Sequence, residues 1–168
     1  VGRVLDELKK DFKYIVCDSP AGIEKGAHLA MYFADDAFVV TNPEVSSVRD
    51  SDRVLGLLAS KTRHAETGEK RVSQHLLLTR YNPERVVKGE MLGVEDVEEI
   101  LAIRLLGVIP ESPEVLQSSN AGVPVILDDA SHAGQAYEDA VARILGEARP
   151  LRFTTVEKKG FFAKMFGG

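Results

Sequence analysis

The stretch His75-Leu76-Leu77-Leu78-Thr79-Arg80 lies between a polar segment, Ala65 to Arg71, and the turn signal Tyr81-Asn82-Pro83. It is too short for a typical helix, and in an extended chain its leucines fall on both faces. That is the pattern of a parallel strand covered by helices on two sides. Three further runs repeat it: Tyr14 to Asp18, Ala37 to Asn42 and Arg104 to Ile109. Between and after them, helical segments are predicted at Val45 to Ser60, Val94 to Ala102 and Gln135 to Glu147. Val97, Ile100 and Leu101 make an apolar stripe on the second of these. Strands alternating with helices imply an α/β fold, a doubly wound and mostly parallel sheet with helices on both faces.

The 168 residues fit one such domain, and 44% hydrophobic content is enough for a sizeable core. Pro150 ends the last long helix, which divides the chain into a domain over 1–150, a charged connector over 151–159 and an aromatic-rich end over 160–168. Net charge is -5, unevenly spread. Lys158, Lys159 and Lys164 lie in the last eleven residues, which contain no acid, leaving 18 basic residues against 26 acidic ones elsewhere. An acidic body argues against general nucleic-acid binding. A small basic end points to an anionic membrane surface. No apolar run approaches the roughly 18 residues needed to span a bilayer.

The single cysteine, Cys17, sits within the apolar run from Tyr14, so no internal disulfide is possible; a core thiol in a reducing cytoplasm is expected. His28, His64, His75 and His132 lack metal-ligand spacing. The chain begins at Val1 without a methionine, which suggests a sequence incomplete at its N-terminus.

In doubly wound sheets ligands bind beyond the carboxyl ends of the strands. Asp18 ends the first predicted strand, and Ser19-Pro20-Ala21-Gly22-Ile23-Glu24 follows. A strand-end carboxylate can hold magnesium through water, while a nearby glycine lets a backbone N–H approach a terminal phosphate. The plainer reading is that Asp18 starts a turn before Pro20.

Longer segments favour the first reading. Cys17 to Glu24 resembles the switch II segment of the MinD family of deviant Walker A P-loop ATPases. So do Tyr32-Phe33-Ala34-Asp35, Thr41-Asn42-Pro43-Glu44-Val45-Ser46-Ser47-Val48-Arg49-Asp50-Ser51-Asp52-Arg53, Leu76 to Pro83, Gly107-Val108-Ile109-Pro110-Glu111, Ser119-Asn120-Ala121-Gly122 and Lys158-Lys159-Gly160-Phe161-Phe162. The resemblance covers essentially the whole chain, in order. It implies an ATPase that uses ATP and Mg2+ and dimerises when ATP is bound. It further implies a peripheral protein on the inner face of the cell membrane, which recruits the division inhibitor MinC and is released by MinE. Asp18 would be the Walker B acid holding Mg2+ through water, and Gly22 would sense the γ-phosphate. Other P-loop proteins place Asn at a strand end to read adenine. Thr79-Arg80 stand there in this chain, so Arg80 and the Pro110-Glu111 turn would contact the base. The family's phosphate-binding loop finds no counterpart, because the chain contains no Gly-Lys dipeptide. The P-loop portion and its central strand are therefore expected to lie outside this chain.

On the helix from Val45, Ser46 and Asp50 share a face at i,i+4 spacing, while Asp52 lies about 200° around from Asp50. By spacing alone this is a solvated helix start, with Asp50 and Arg53 pairing at i,i+3 for a few tenths of a kcal/mol. The resemblance assigns Ser46, Arg49, Asp50 and Asp52 to the surface that recognises MinC and MinE.

In a helix at about 100° per residue, Phe161, Met165, Phe162 and Phe166 fall on one arc from about 0° to 140°, and Lys164 falls at about 300°. Four large apolar side chains opposite a cation, with Lys158 and Lys159 alongside, describe an interfacial membrane helix. Burying them gives at most about 6 to 10 kcal/mol before tail ordering is subtracted. One tail is then a weak anchor, and two tails on a dimer hold far more tightly. Two rival readings remain: a chromosome-partitioning or flagellum-counting relative, where a basic surface would be expected, and a non-catalytic membrane adaptor with a flavodoxin-like sheet.

Overall fold

The computed structural model describes residues 1–20, 24–68 and 71–156. Three parallel strands, β1 (Asp36–Thr41), β2 (Ser73–Tyr81) and β3 (Arg104–Pro110), form a sheet in the order β1-β2-β3. Helices α1 (Gly2–Asp11) and α2 (Lys25–Tyr32) precede it. α3 (Val45–Ser60) and α4 (Arg63–Thr67) join β1 to β2, and α5 (Pro83–Val87) and α6 (Val94–Leu101) join β2 to β3. After β3 come α7 (Pro113–Ala121), a short 3-10 turn (Val125–Leu127) and α8 (His132–Ile144).

On β2 and β3 the two-sided apolar pattern is realised as two cores, whereas β1 buries Val39 and Thr41 and leaves Phe38 and Val40 exposed. Leu76, Leu78 and Val108 face α3 and α6, packing with Val48, Leu55, Leu58, Val97 and Leu101. Leu77 and Ile109 face the other way, toward Val125 and the Ala133–Ala136 face of α8. Leu76, Leu78 and Val97 are fully buried. α8 lies close on β3 because Gly107 carries no side chain: a Cβ there would sit 3.1 Å from the Ala140 Cβ and 3.2 Å from Leu77 Cδ1.

The α/β class and the parallel sheet agree with the sequence reading, and α3 spans the predicted residues. The strand predicted at Tyr14 to Asp18 does not form. The segment is neither helix nor strand and has no ladder partner among the described residues, and Tyr14 is 60% and Val16 93% exposed. A run apolar on both faces is held as a strand only where a neighbouring strand and two covering layers meet it. For the same reason Cys17 is exposed rather than a core thiol. The last helix begins at His132, three residues ahead of its predicted start, because Ser131 caps it by accepting the Gly134 N–H. The polar segment predicted as a loop from Ala65 contains most of α4, capped by Thr62.

Candidate functional site

The carboxyl ends of the three strands bring together a set of polar side chains. At the end of β1, Asn42 Oδ1 accepts a hydrogen bond from Thr79 Oγ1 at 3.0 Å, tying the first two strand ends together. Arg80, one residue on, has φ 57°, a left-handed backbone that a residue with a Cβ adopts at some cost. Its guanidinium lies 3.7 Å from Glu111 Oε1 just past β3, with Arg80 66% exposed. Asn82 Nδ2 donates to the other oxygen of Glu111 at 3.4 Å, and the Glu111 N–H donates to the Tyr81 carbonyl at 2.9 Å. Asn82 also caps α5, its Oδ1 accepting from the N–H groups of Glu84 and Arg85, with Pro83 at the first helical position.

The result is an exposed edge where one cation, one carboxylate and one amide converge, a suitable arrangement for a planar, hydrogen-bonding ligand. Tyr81 stands behind it, 4% exposed, and burial raises its phenol above the ordinary value. Its hydroxyl donates to the Thr154 carbonyl at 3.4 Å.

Of the residues predicted from sequence, Arg80, Pro110 and Glu111 meet at adjacent strand ends. Asp18 lies in the unpaired segment, exposed, and among the described residues no hydrogen bond or ion pair joins it to this cluster. Gly22 falls outside the described residues. Ser46, Arg49, Asp50 and Asp52 are all exposed on the first turns of α3, whereas Val48 and Ser51 between them are buried. The i,i+3 pair forms, with Arg53 Nη1 3.1 Å from Asp50 Oδ1. Lys158, Lys159, Phe161, Phe162, Lys164, Met165 and Phe166 lie outside the described residues. Among the described residues no helix is long and apolar enough to cross a membrane. Asn82 and the Thr79–Asn42 bridge went unread in the sequence, although Asn-Pro ahead of a helix is a recognisable capping signal.

No protein-family profile matches the chain. The septum site-determining protein MinD of Escherichia coli (strain K12) is 64% identical over 169 residues, covering 100% of this chain and 63% of that protein. The chain belongs to the MinD family. Solved structures of that family agree with the fold. The MinC:MinD cell division protein complex from Aquifex aeolicus matches with TM-score 0.80 at 41% identity, over 90% of this chain and 60% of that one. The MinD from Pyrococcus horikoshii OT3, complexed with Mg-ADP, matches with TM-score 0.70 at 26% identity, over 84% and 54% respectively. The chain thus spans about 63% of the length of the curated relatives it matches.

Proposed function

We propose that the chain is the larger, C-terminal part of an ATP-dependent, membrane-cycling ATPase that positions the division septum. The observation that carries this reading is 64% identity, along the entire chain, to a septum site-determining MinD. A Mg-ADP-bound relative and a relative complexed with MinC support ATP, Mg2+ and MinC as ligands.

The residues fit the base end of a nucleotide. Arg80, Pro110 and Glu111 form an exposed donor and acceptor edge at the strand ends, where α/β sheets bind ligands. They do not furnish the phosphate end, since the chain has no Gly-Lys dipeptide. Bound magnesium would neutralise charge on the terminal phosphates. Asp18 would orient it through water, with Gly22 beside the γ-phosphate. Ser46, Arg49, Asp50 and Asp52 would dock MinC and MinE; their exposure leaves them free to do so.

Residues 1–150 would then be the ATPase domain portion, 151–159 the connector and 160–168 the amphipathic anchor on the inner face of the membrane. ATP-driven dimerisation pairs two weak anchors, and MinE-stimulated hydrolysis separates them. Phe161, Phe162, Met165 and Phe166 would enter the interface, and Lys158, Lys159 and Lys164 would meet anionic headgroups.

The test is a chimera in which this chain replaces the matching portion of the E. coli relative. It should sediment with anionic vesicles in ATP and not in ADP, and Phe162→Glu should abolish sedimentation while ATP-driven dimerisation persists. Sedimentation retained by the Phe162→Glu chimera refutes the anchor. The 168-residue polypeptide alone should bind no ATP at micromolar concentration in calorimetry; micromolar binding would overturn the assignment of the phosphate site to sequence outside it.

A further inference from the structure

Beyond α8 the chain turns back along its own last helix. Near the end of α8, Arg143 donates from Nε to the Arg149 carbonyl at 3.0 Å and from Nη2 to the Pro150 carbonyl at 2.7 Å. Its third donor, Nη1, reaches the Leu106 carbonyl of β3 at 2.7 Å, so the same side chain is locked to the sheet. Farther up the helix, Arg152 donates from Nε to Asp139 at 2.7 Å and from its two terminal nitrogens to the side chain and carbonyl of Gln135. Phe153 then stacks on His132, the first residue of α8, with ring centroids 4.6 Å apart, and Thr154 accepts from Tyr81. Successive residues of this segment meet successively earlier residues of the helix. It therefore runs antiparallel to α8 and ends against Tyr81, the last residue of β2, at the carboxyl end of the sheet.

Two features make this a built contact. Asp139 is only 4% exposed, and a buried carboxylate without its counter-charge is strongly unfavourable, so Arg152 is a catch rather than a decoration. Phe153 packs into the second core against Ile109, Val125, Ala133 and Ala136, and holds φ 62° to do so.

We propose that Arg149 to Thr154 form a docked strap, caught by Asp139, that fixes where the C-terminal tail leaves the domain. With Thr154 rather than Ile144 as the last residue held, 6 residues rather than 16 separate the domain from Gly160. The effective concentration of a second tail on a dimer, which falls roughly as the −3/2 power of leash length, rises by about fourfold. The strap also launches the tail from the edge that holds Arg80 and Glu111, so that ligand and membrane meet the same end of the sheet. What the strap delivers rests on the membrane reading of residues 160–168; the docking itself does not.

The test is limited trypsin digestion of the intact polypeptide, followed by mass spectrometry at the Arg152–Phe153 bond. Release of residues 153–168 should be slow in the parent and about tenfold faster in both Asp139→Asn and Phe153→Ala, because cleavage tracks the population of the open form. Cleavage after Arg53, inside α3 and away from the strap, should stay at the parent rate in Phe153→Ala. Equal cleavage at Arg152 in parent and Phe153→Ala would overturn the strap, and so would an increase shared equally by the Arg53 site. No lipid is present, so failure of the strap shows here, whereas failure of the tail shows only in vesicle sedimentation.

Discussion

Gly134 lies in the first turn of α8, where the helix meets the 3-10 turn before it. A Cβ built on it would lie 2.5 Å from the Val125 carbonyl oxygen and 2.7 Å from the Asp128 carbonyl oxygen. Both are backbone atoms, so no side-chain rotation can relieve the contact; α8 or the turn must move. Overpacking of this kind costs about 1–3 kcal/mol. Against it stands the gain from replacing glycine in a helix, about 1 kcal/mol at most and less in a first turn. Gly134→Ala should therefore destabilise by about 1–2 kcal/mol. In a domain of this size that lowers Tm by about 3–8 °C in a thermal melt followed by circular dichroism.

Gly56 supplies the matched control. It sits inside α3, exposed, and a methyl group on its Cα would meet nothing within 4 Å. Gly56→Ala should stabilise by about 0.5–1 kcal/mol, through helix propensity and a less flexible unfolded chain. If Gly134→Ala raised Tm as Gly56→Ala does, the close approach of α8 to the turn, and with it the seating of the second core, would be refuted.

Three more outcomes follow from single sites. Burial pulls the Asp35 carboxyl upward, but the His64 hydrogen bond and the Lys9 charge outweigh it and hold the carboxyl below its ordinary value. Its stabilising contribution is present above the unfolded carboxylate range near about pH 4 and is lost as pH falls through the folded value. Asp35→Asn should accordingly be less stable than the parent at pH 7, with the gap closing in acid in urea titrations; a gap that widened would refute the pairing. Arg80→Gly removes a left-handed side-chain residue and should raise stability by up to about 1 kcal/mol in the same titrations, while abolishing the Glu111 pair. Asp50→Lys and Asp52→Lys, both exposed, should leave stability within about 0.5 kcal/mol, yet weaken capture of MinC by the E. coli chimera in pull-downs.

Strands β1, β2 and β3 were legible because their runs are apolar on both faces, a signal that does not depend on distant sequence. Tyr14 to Asp18 carries the same signal and fails, because a strand also needs a neighbour, and pattern cannot say whether one is supplied. The helices α5 and α7 were missed for the opposite reason. Their signature is capping chemistry, Asn82-Pro83 and Ser112-Pro113, rather than an apolar stripe, and none of their residues is buried. That Arg80, Pro110 and Glu111 would share one edge was legible, because the strands of a parallel sheet send their carboxyl ends to the same side. The Asp139–Arg152 pair could not, since it depends on a chain reversal that no local periodicity announces.

The reversal has its own physical logic. The inner face of α8 is built from Ala133, Ala136 and Ala140, small enough to let the helix settle against Gly107 of β3. Small side chains permit close approach but fill little volume, so beside Tyr137 that face offers alanines where Leu55, Leu58 and Met91 fill the opposite core. Phe153 supplies a large apolar ring to the alanine-built side, and it reaches that position only if the chain returns along α8 after Ile144. The catch at Asp139 and the aromatic filling at His132 are thus two requirements met by one segment. A substitution that enlarged Ala136 would compete with Phe153 for the same space and push the strap from its seat.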